Sequence, residues 1–411
     1  MNFEGGIVVV NQTQLETEIL LKEANKSILF TANRPNLVME KGEGMYLWDT
    51  NGKKYLDFIG GWAVTSLGHC PEGITKALAQ QSAKLINASP AFYNVPMIEF
   101  AKLLTDNSCF DKVFFASTGA EANEGAIKLA RKYGTKFLNG AYEIITAIDS
   151  FHGRTLATMS ATGKQKWESL FEPKVQGFKH VPQNDLVAIQ KAISANTCAI
   201  MLEPVQGEGG VFELEKNYIR SLRELCNEKN ILLIFDEVQT GIGRTGKLFA
   251  YEHYGIEPDI MTLAKGIGGG YPLAALLTKE KFDIFEAGDQ GGTYSSQPLG
   301  MAVGMAVVNE IIDKNLSKNA EKQGEYIRYQ LTSIASKYNL INIRGKGLLI
   351  AFDLPVEKGS EVVSQCQKKG LLLNSPRPAY IRLMPPLIVT FPEIDEMIAI
   401  LSDVLTEVLS E

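Results

Sequence analysis

Between residues 113 and 265, short apolar runs alternate with stretches of helical period, and this alternation constrains the fold more than anything else in the chain. Residues 113–116, 144–148, 199–202 and 231–235 are too short for helices and too continuously apolar for strands with one wet face. They read as buried strands of a mainly parallel sheet. Residues 120–133 and 214–228 have helical period and length. Strand–helix alternation of this kind predicts a doubly wound α/β domain. Ligands in such sheets bind beyond the carboxyl ends of the strands. Those ends carry Ser117-Thr118-Gly119, residues 149–155, Glu203-Pro204, Asp236-Glu237 and Lys265-Gly266.

The texture changes after about residue 310. Residues 319–337 predict a long polar-faced helix, with short strands near 348–352 and 380–383. A last helix over 392–409 lines up Ile394, Met397, Ile398, Leu401, Leu405 and Val408 on one face. The expected organisation is a large α/β domain over 71–309 and a smaller α+β domain over 310–411. Residues 1–70 contain the turns Asp49-Thr50-Asn51-Gly52 and Gly60-Gly61 with hairpin-like strands around them, and should pack on the small domain.

Composition removes several classes of function. With 41 Lys and Arg against 47 Asp and Glu, the net charge is −6, a poor match for a phosphate backbone, so no nucleic acid is expected. No run of about 18 apolar residues could span a membrane. The opening Met-Asn-Phe-Glu-Gly-Gly lacks the basic region of a secretory signal, which points to the cytoplasm. Five scattered cysteines make no disulfide framework, and four histidines show no zinc spacing, so no metal is expected. The hard chemistry should come from an organic cofactor.

One glycine-rich stretch invites a rival reading. Gly241-Ile242-Gly243-Arg244-Thr245-Gly246-Lys247 fits both G-x-G-x-x-G and G-x-x-x-x-G-K. A phosphate-binding loop of the second kind needs Ser or Thr after the lysine to hold magnesium, and Leu248 stands there. The first kind starts at the strand end, but residues 237–240 intervene. A glycine-rich active-site loop with positive φ is the better reading.

Lys265 ends the apolar run 259–264 and precedes Gly266-Ile267-Gly268-Gly269-Gly270, so a flat ligand would have room beside it. Burial lowers a lysine pKa and makes it a Schiff-base nucleophile; alone, a snorkelling surface lysine explains it better. Asp236 ends a buried run and needs a partner there. A pyridinium N–H would serve, as would a capping role or an arginine. Ser117–Glu124 opens a helix, a place for phosphate or simply a capped N-terminus. Phe151 offers an aromatic face and Arg154 a carboxylate grip, or else a core ring and an internal ion pair.

Taken together, the segments are far more specific. Gly68-His69, residues 117–124 and 150–155, Glu203-Pro204-Val205-Gln206-Gly207-Glu208-Gly209-Gly210, residues 235–241, Lys265-Gly266, Gly292-Thr293-Tyr294 and residues 381–387 stand in the order of one family over nearly the whole chain. The chain resembles the class III (ω-) aminotransferases of fold type I, and within them the acetylornithine/succinylornithine aminotransferases, through residues 150–164. The resemblance implies a seven-stranded, mainly parallel sheet with helices on both faces, pyridoxal 5'-phosphate as cofactor, and a homodimer with shared active sites. It implies transfer of an amino group from N-acetylornithine to 2-oxoglutarate in arginine biosynthesis. Other ω-amino donors, or an isomerase on the same scaffold, are the alternatives; Arg382 and Glu208 count against an isomerase.

The resemblance also implies residue roles. Lys265 forms the Schiff base and shuttles the proton, and Asp236 binds the pyridinium nitrogen. Phe151 and Val238 sandwich the ring, and Gln239 meets its 3-hydroxyl side. Gly119 and Ala120 hold the phosphate with Thr118 nearby, while Thr293 reaches the phosphate of the neighbouring subunit. Arg154 holds the α-carboxylate of the acylornithine. Arg382 holds that of glutamate or 2-oxoglutarate, and Glu208 masks Arg382 when the ornithine-type donor is bound. Two positions depart from the family. Trp62 stands at the substrate entrance, where acylornithine enzymes carry a smaller aliphatic residue and ornithine enzymes Tyr. Ser295-Ser296-Gln297-Pro298 replaces Gly-Gly-Asn-Pro.

Overall fold

The computed structural model describes residues 12–409. The opening residues, read above as lacking a secretory signal, lie outside them. Seven strands form the central sheet: Lys112–Ala116 (β1), Glu143–Ala147 (β2), Phe178–Val181 (β3), Thr197–Leu202 (β4), Leu232–Asp236 (β5), Ile260–Leu263 (β6) and Ala274–Thr278 (β7). Their spatial order is β1-β7-β6-β5-β4-β2-β3, and only β7 runs against its neighbours. The expected mainly parallel, seven-stranded α/β sheet is therefore present.

Strand β5 shows why continuous apolar runs are needed. Leu232 and Ile234 pack with Ala126, Ile127 and Ala130 of the helix Gly119–Phe137 on one face. Leu233 and Phe235 pack with Ile219 and Leu222 of the helix Lys216–Lys229 on the other. Each such side chain contributes about 1.5–3 kcal/mol by leaving water, so either register buries apolar surface. Only the last residue, Asp236, breaks the run, and it still pairs in register with Thr262 of β6.

A second, antiparallel sheet of Ile341–Lys346, Leu349–Asp353, Tyr380–Leu383 and Asn374–Arg377 lies in the C-terminal part. It is packed by the helices Leu316–Tyr338 and Phe391–Leu409. Near the N-terminus, Met39–Glu43, Tyr46–Asp49 and Lys54–Asp57 form an antiparallel sheet, and Leu371–Leu372 extends it in parallel. The glycine-rich stretch 241–247 has positive φ at Ile242, Gly243 and Gly246. Arg244 is buried and donates to the carbonyls of Leu348 and Pro385, tying the loop to the C-terminal sheet.

No helix among the described residues is long and apolar enough to cross a membrane, and no cluster of His, Cys, Asp or Glu there could hold a metal. Gly324 tests how closely the C-terminal part is packed. A Cβ at this position would lie 1.9 Å from the carbonyl oxygen of Gly347. Gly324→Ala is expected to destabilise the protein by about 1–3 kcal/mol through overpacking. The midpoint of denaturant unfolding reads this out; an unchanged midpoint would mean the helix Leu316–Tyr338 slides at no cost.

Candidate active site

The carboxyl ends of β1, β2, β4, β5 and β6 open onto one cavity of about 450 Å³. After β1, Thr118 caps the helix Gly119–Phe137. Its Oγ1 accepts from Glu121 N at 3.2 Å, while Glu121 accepts from the amides of Ser117 and Thr118 at 2.9 and 2.8 Å. This capping box leaves the first two helical residues, Gly119 and Ala120, lining the cavity with the positive end of the helix dipole. A Cβ at Gly119 would sit 3.0 and 3.1 Å from the Val238 methyls and 3.3 Å from Ala264, so a larger residue here would push Val238 and Ala264 by a few tenths of an ångström.

Lys265 follows β6 at the start of a single 3₁₀ turn, with a left-handed φ of 49°. A non-glycine residue there costs roughly 1–2 kcal/mol, strain of the kind held at functional sites. Lys265 lines the same cavity. Desolvation pushes its pKa below the ordinary lysine range, Arg382 adds to this, and Glu208, Asp236 and Glu203 oppose it.

Asp236 is held by three donors. Oδ2 accepts from Asn123 Nδ2 and lies against His152 Nδ1, both at 2.8 Å, and Oδ1 accepts from Val238 N at 3.0 Å. Asn123 is fixed in turn by Thr262 Oγ1 at 2.6 Å and by the His152 carbonyl at 2.7 Å. Desolvation alone would lower the His152 pKa. The Asp236 hydrogen bond and charge, with Glu203, outweigh it and raise it. His152 Nε2 is buried without a hydrogen-bond partner among the described residues. Glu203, at the end of β4, accepts from Phe151 N at 3.0 Å, and desolvation pushes its carboxyl up.

A second cavity of about 650 Å³ adjoins the first, and Arg154, Lys164 and Glu208 lie on it together with Trp62, Asn374 and Arg382. Arg382 is fully buried. The antiparallel register Asn374↔Arg382 places Asn374 Oδ1 3.1 Å from Nε and 2.8 Å from Nη2. Nη1 donates to the Gly207 carbonyl at 2.6 Å, and Nη2 to Glu208 Oε1 at 2.8 Å. Glu208 Oε2 meets Lys164 Nζ at 3.4 Å. Desolvation would raise the Glu208 carboxyl, but Arg382 and Lys164 outweigh it and hold it at about 2. The Glu208 carboxylate is thus charged throughout the neutral range.

Among the residues expected from the sequence, Thr118, Gly119, Ala120, Phe151, Arg154, Glu208, Asp236, Val238, Gln239 and Lys265 line the first cavity. Trp62 and Arg382 line the second, which Arg154 and Glu208 share. Trp62 is 57 % exposed and belongs to a left-handed turn over Gly60–Ala63. Thr293 lines neither; it is exposed near Ser117 and Lys128 in a separate hollow. The glycine-rich loop 241–247 also lies outside both cavities. Asn123, His152, Glu203 and Lys164 were not assigned to the site from sequence. The visible signals were Asn123 four residues into the helix behind Gly119, and a buried carboxylate at each of two neighbouring strand ends.

Pyridoxal 5'-phosphate needs an amine for its aldehyde, a carboxylate for its ring nitrogen, flanking apolar faces and an anion cradle. Asp236 Oδ1 keeps acceptor capacity beyond its one bond to Val238 N, and the Gly119 cradle admits a close ligand, so the residues present fit that group. Fold and cavity together define a pyridoxal-phosphate enzyme. The model of the family described as "Aminotransferase class-III" matches residues 30–405. The chain is 51 % identical over 387 residues to an acetylornithine aminotransferase of Ralstonia nicotianae, covering 92 % of this chain and 97 % of that one. It is 48 % identical over 385 residues to one of Caldanaerobacter subterraneus, covering 93 % and 98 %. Among solved structures it is similar to the ornithine aminotransferase of Toxoplasma gondii, with a TM-score of 0.91, 30 % identity and 95 % of each chain covered. The acetylornithine aminotransferase of Elizabethkingia anophelis gives 0.85 and 32 %, covering 95 % and 99 %. The chain belongs to the class-III aminotransferases and is a pyridoxal-phosphate-dependent aminotransferase.

Asp236→Asn tests the network. An amide must point its NH₂ either at Asn123 and His152 or at Val238 N–H, and every one of these is a donor. A donor left facing a donor costs about 1–3 kcal/mol. The variant is expected to fold with reduced stability and to lose transamination by roughly 10²-fold or more. An unchanged rate would leave Asp236 a purely structural residue.

Proposed function

We infer that the protein transfers the terminal amino group of N-acetylornithine to 2-oxoglutarate, giving N-acetylglutamate 5-semialdehyde and glutamate, a step of arginine biosynthesis. The observation that carries this is the buried Arg382 paired with Glu208, in a chain about half identical to acetylornithine aminotransferases. Pyridoxal phosphate, when bound, supplies the electron sink and carries the amino group between the two substrates. Lys265 would hold the cofactor's aldehyde carbon and move the proton at the reacting carbon. Asp236 would bind the ring N–H, Phe151 and Val238 its faces, and Gln239 its 3-hydroxyl side. The amides of Gly119 and Ala120, with Thr118, would take the phosphate.

An enzyme of this kind must accept a terminal amine in one half-reaction and an α-amino acid in the other. A free arginine beside the reacting carbon suits only the second. With Glu208 on Arg382, the acylornithine can place its carboxylate on Arg154 instead. With Glu208 displaced, Arg382 presents its fork to 2-oxoglutarate. Trp62 at the mouth would limit the acyl end of the donor.

A homodimer of two such chains in the cytoplasm completes the proposal. Phe92, Tyr93 and Tyr294 are 67 %, 86 % and 67 % exposed. Their segments lie side by side, since Asn94 Nδ2 donates to the Ser296 carbonyl at 3.0 Å. An exposed aromatic patch of this kind marks an association surface, and Thr293 sits beside it to meet the partner's phosphate.

Two outcomes are expected. First, with N-acetylornithine, N-succinylornithine, ornithine and 4-aminobutyrate as donors, glutamate should form fastest from N-acetylornithine. Arg382→Ala should damage the 2-oxoglutarate half-reaction most, by about 2–5 kcal/mol, and Arg154→Ala the acylornithine half-reaction. Single-turnover rates of each half decide; equal losses in both halves would assign these arginines to the fold. Second, subunits of Lys265→Ala mixed with Thr293→Ala should regain activity, because one site in the heterodimer collects both lesions and the other none. No recovery after verified subunit exchange would place Thr293 outside the partner's site.

A further inference from the structure

Glu208 touches two cations, not one. Among the described residues its ion pairs are Oε1 with Arg382 at 2.8 Å and Oε2 with Lys164 at 3.4 Å. Lys164 is not a surface lysine. Its side chain is 15 % exposed, and Nζ stands 4.8 Å from the Phe151 ring centre and 5.3 Å from that of Trp167. Its backbone is anchored, because the preceding Gly163 bridges Ile148 at the end of β2 and donates to Ser150 Oγ at 3.1 Å. The amine therefore stands beside the Phe151 and Trp167 rings on the wall of the second cavity, where burial lowers its pKa and Glu208 opposes that shift.

The reading above requires Glu208 to leave Arg382 whenever a dicarboxylate arrives. A mostly buried carboxylate cannot be released without a partner, since an unpaired buried charge is strongly unfavourable. Lys265 is the other nearby amine, but in that reading it is committed to the cofactor. Resting on that reading, we propose that Lys164 is the second berth of the Glu208 carboxylate: it keeps the charge paired while Arg382 is vacated, and so sets how readily the site admits a dicarboxylate. Lys164 is a positioning residue in this scheme, acting on the ligand through Glu208. The two carboxylate oxygens are already divided between the two cations, so breaking the Arg382 contact leaves the Lys164 contact in place. Without Lys164, Glu208 has only Arg382, and the mask becomes harder to lift.

The test uses cofactor-loaded enzyme and glutarate, an unreactive dicarboxylate, with affinity measured by calorimetry. Lys164→Met should weaken glutarate at least about fivefold, the lower end of ordinary site-to-site coupling, and Lys164→Arg should restore most of it. In a Glu208→Gln background the same Lys164→Met change should have no effect, because there is no charge to berth. Unaltered glutarate affinity in Lys164→Met would overturn the proposal. So would an equal loss in both backgrounds, which would mean that Lys164 touches the ligand itself. Arg382→Ala, measured alongside, separates the two levels of inference. If it weakens glutarate and Lys164→Met does not, only the berth fails. If Arg382→Ala has no effect, the assignment of Arg382 to the dicarboxylate fails as well.

Discussion

A carboxylate at the inner end of a buried strand governs the arrangement of the site. Asp236 terminates β5, where both flanking helix layers are apolar, and bulk water cannot stabilise its charge. The chain supplies donors from two other elements and from the aspartate's own turn: Asn123 from the helix after β1, His152 from the loop after β2, and the Val238 amide two residues on. Each bond to a charged group contributes about 1.5–3 kcal/mol, and leaving one unmade costs a similar amount. That requirement fixes how the ends of β1, β2 and β5 sit relative to one another. The cavity is the space those constraints leave, and Lys265 enters it from β6, the neighbour of β5.

The second constraint is the buried guanidinium of Arg382. It lies in a strand of the C-terminal sheet, yet its Glu208 partner and the Gly207 carbonyl come from the loop after β4 of the central sheet. Arg244 repeats the pattern in the opposite direction, reaching from the central sheet to carbonyls at Leu348 and Pro385. Arg244 has no acidic partner among the described residues, and burial pushes its pKa down to about 9. The two sheets are thus held in register by cations whose hydrogen bonds cross between them. A shift of either sheet would strand a buried charge, a far larger penalty than the loss of a surface ion pair.

Much of the fold was legible because β2, β4 and β5 are almost wholly buried and strongly apolar, while β1, a partly exposed edge strand, still carries the continuous apolar run 113–116. β1, β2, β4 and β5 could be read directly, with ends shifted by a residue or two. β3 could not: it is an edge strand, and its Lys179 and His180 break the apolar run that marks its neighbours. β7 reads Ala-Ala-Leu-Leu-Thr, with little β-branched character, and its reversed direction has no local signature. In the site, Lys265 and Asp236 stood out because a charge at the end of an apolar run has no bland explanation once several such ends occur together. Asn123 and His152 did not, since their meaning lies in which strand end they meet, and that is set by packing. The loop over 241–247 was legible as a glycine-rich turn but not as a brace between sheets, because its partner Pro385 is distant in sequence.

The two arginines proposed to read substrate carboxylates come from different parts of the chain, and this division has a physical rationale. Arg154 rides on the loop after β2, over the rings of Phe151 and Trp167, at 5.9 and 5.2 Å from their centres. It is exposed, and cation–π contacts of this kind leave its donors free for a ligand. Arg382 is the reverse case, buried with its donors already paired. A ligand that meets Arg154 need displace only water, whereas one that meets Arg382 must also displace Glu208. In the proposed reaction the first arrangement suits a donor whose carboxylate lies far from the reacting amine. The second admits only a ligand whose own carboxylate replaces the one it removes. In that reaction selectivity would arise from the cost of exposing Arg382 to anything uncharged, so one site could take substrates with and without a carboxylate at the reacting carbon.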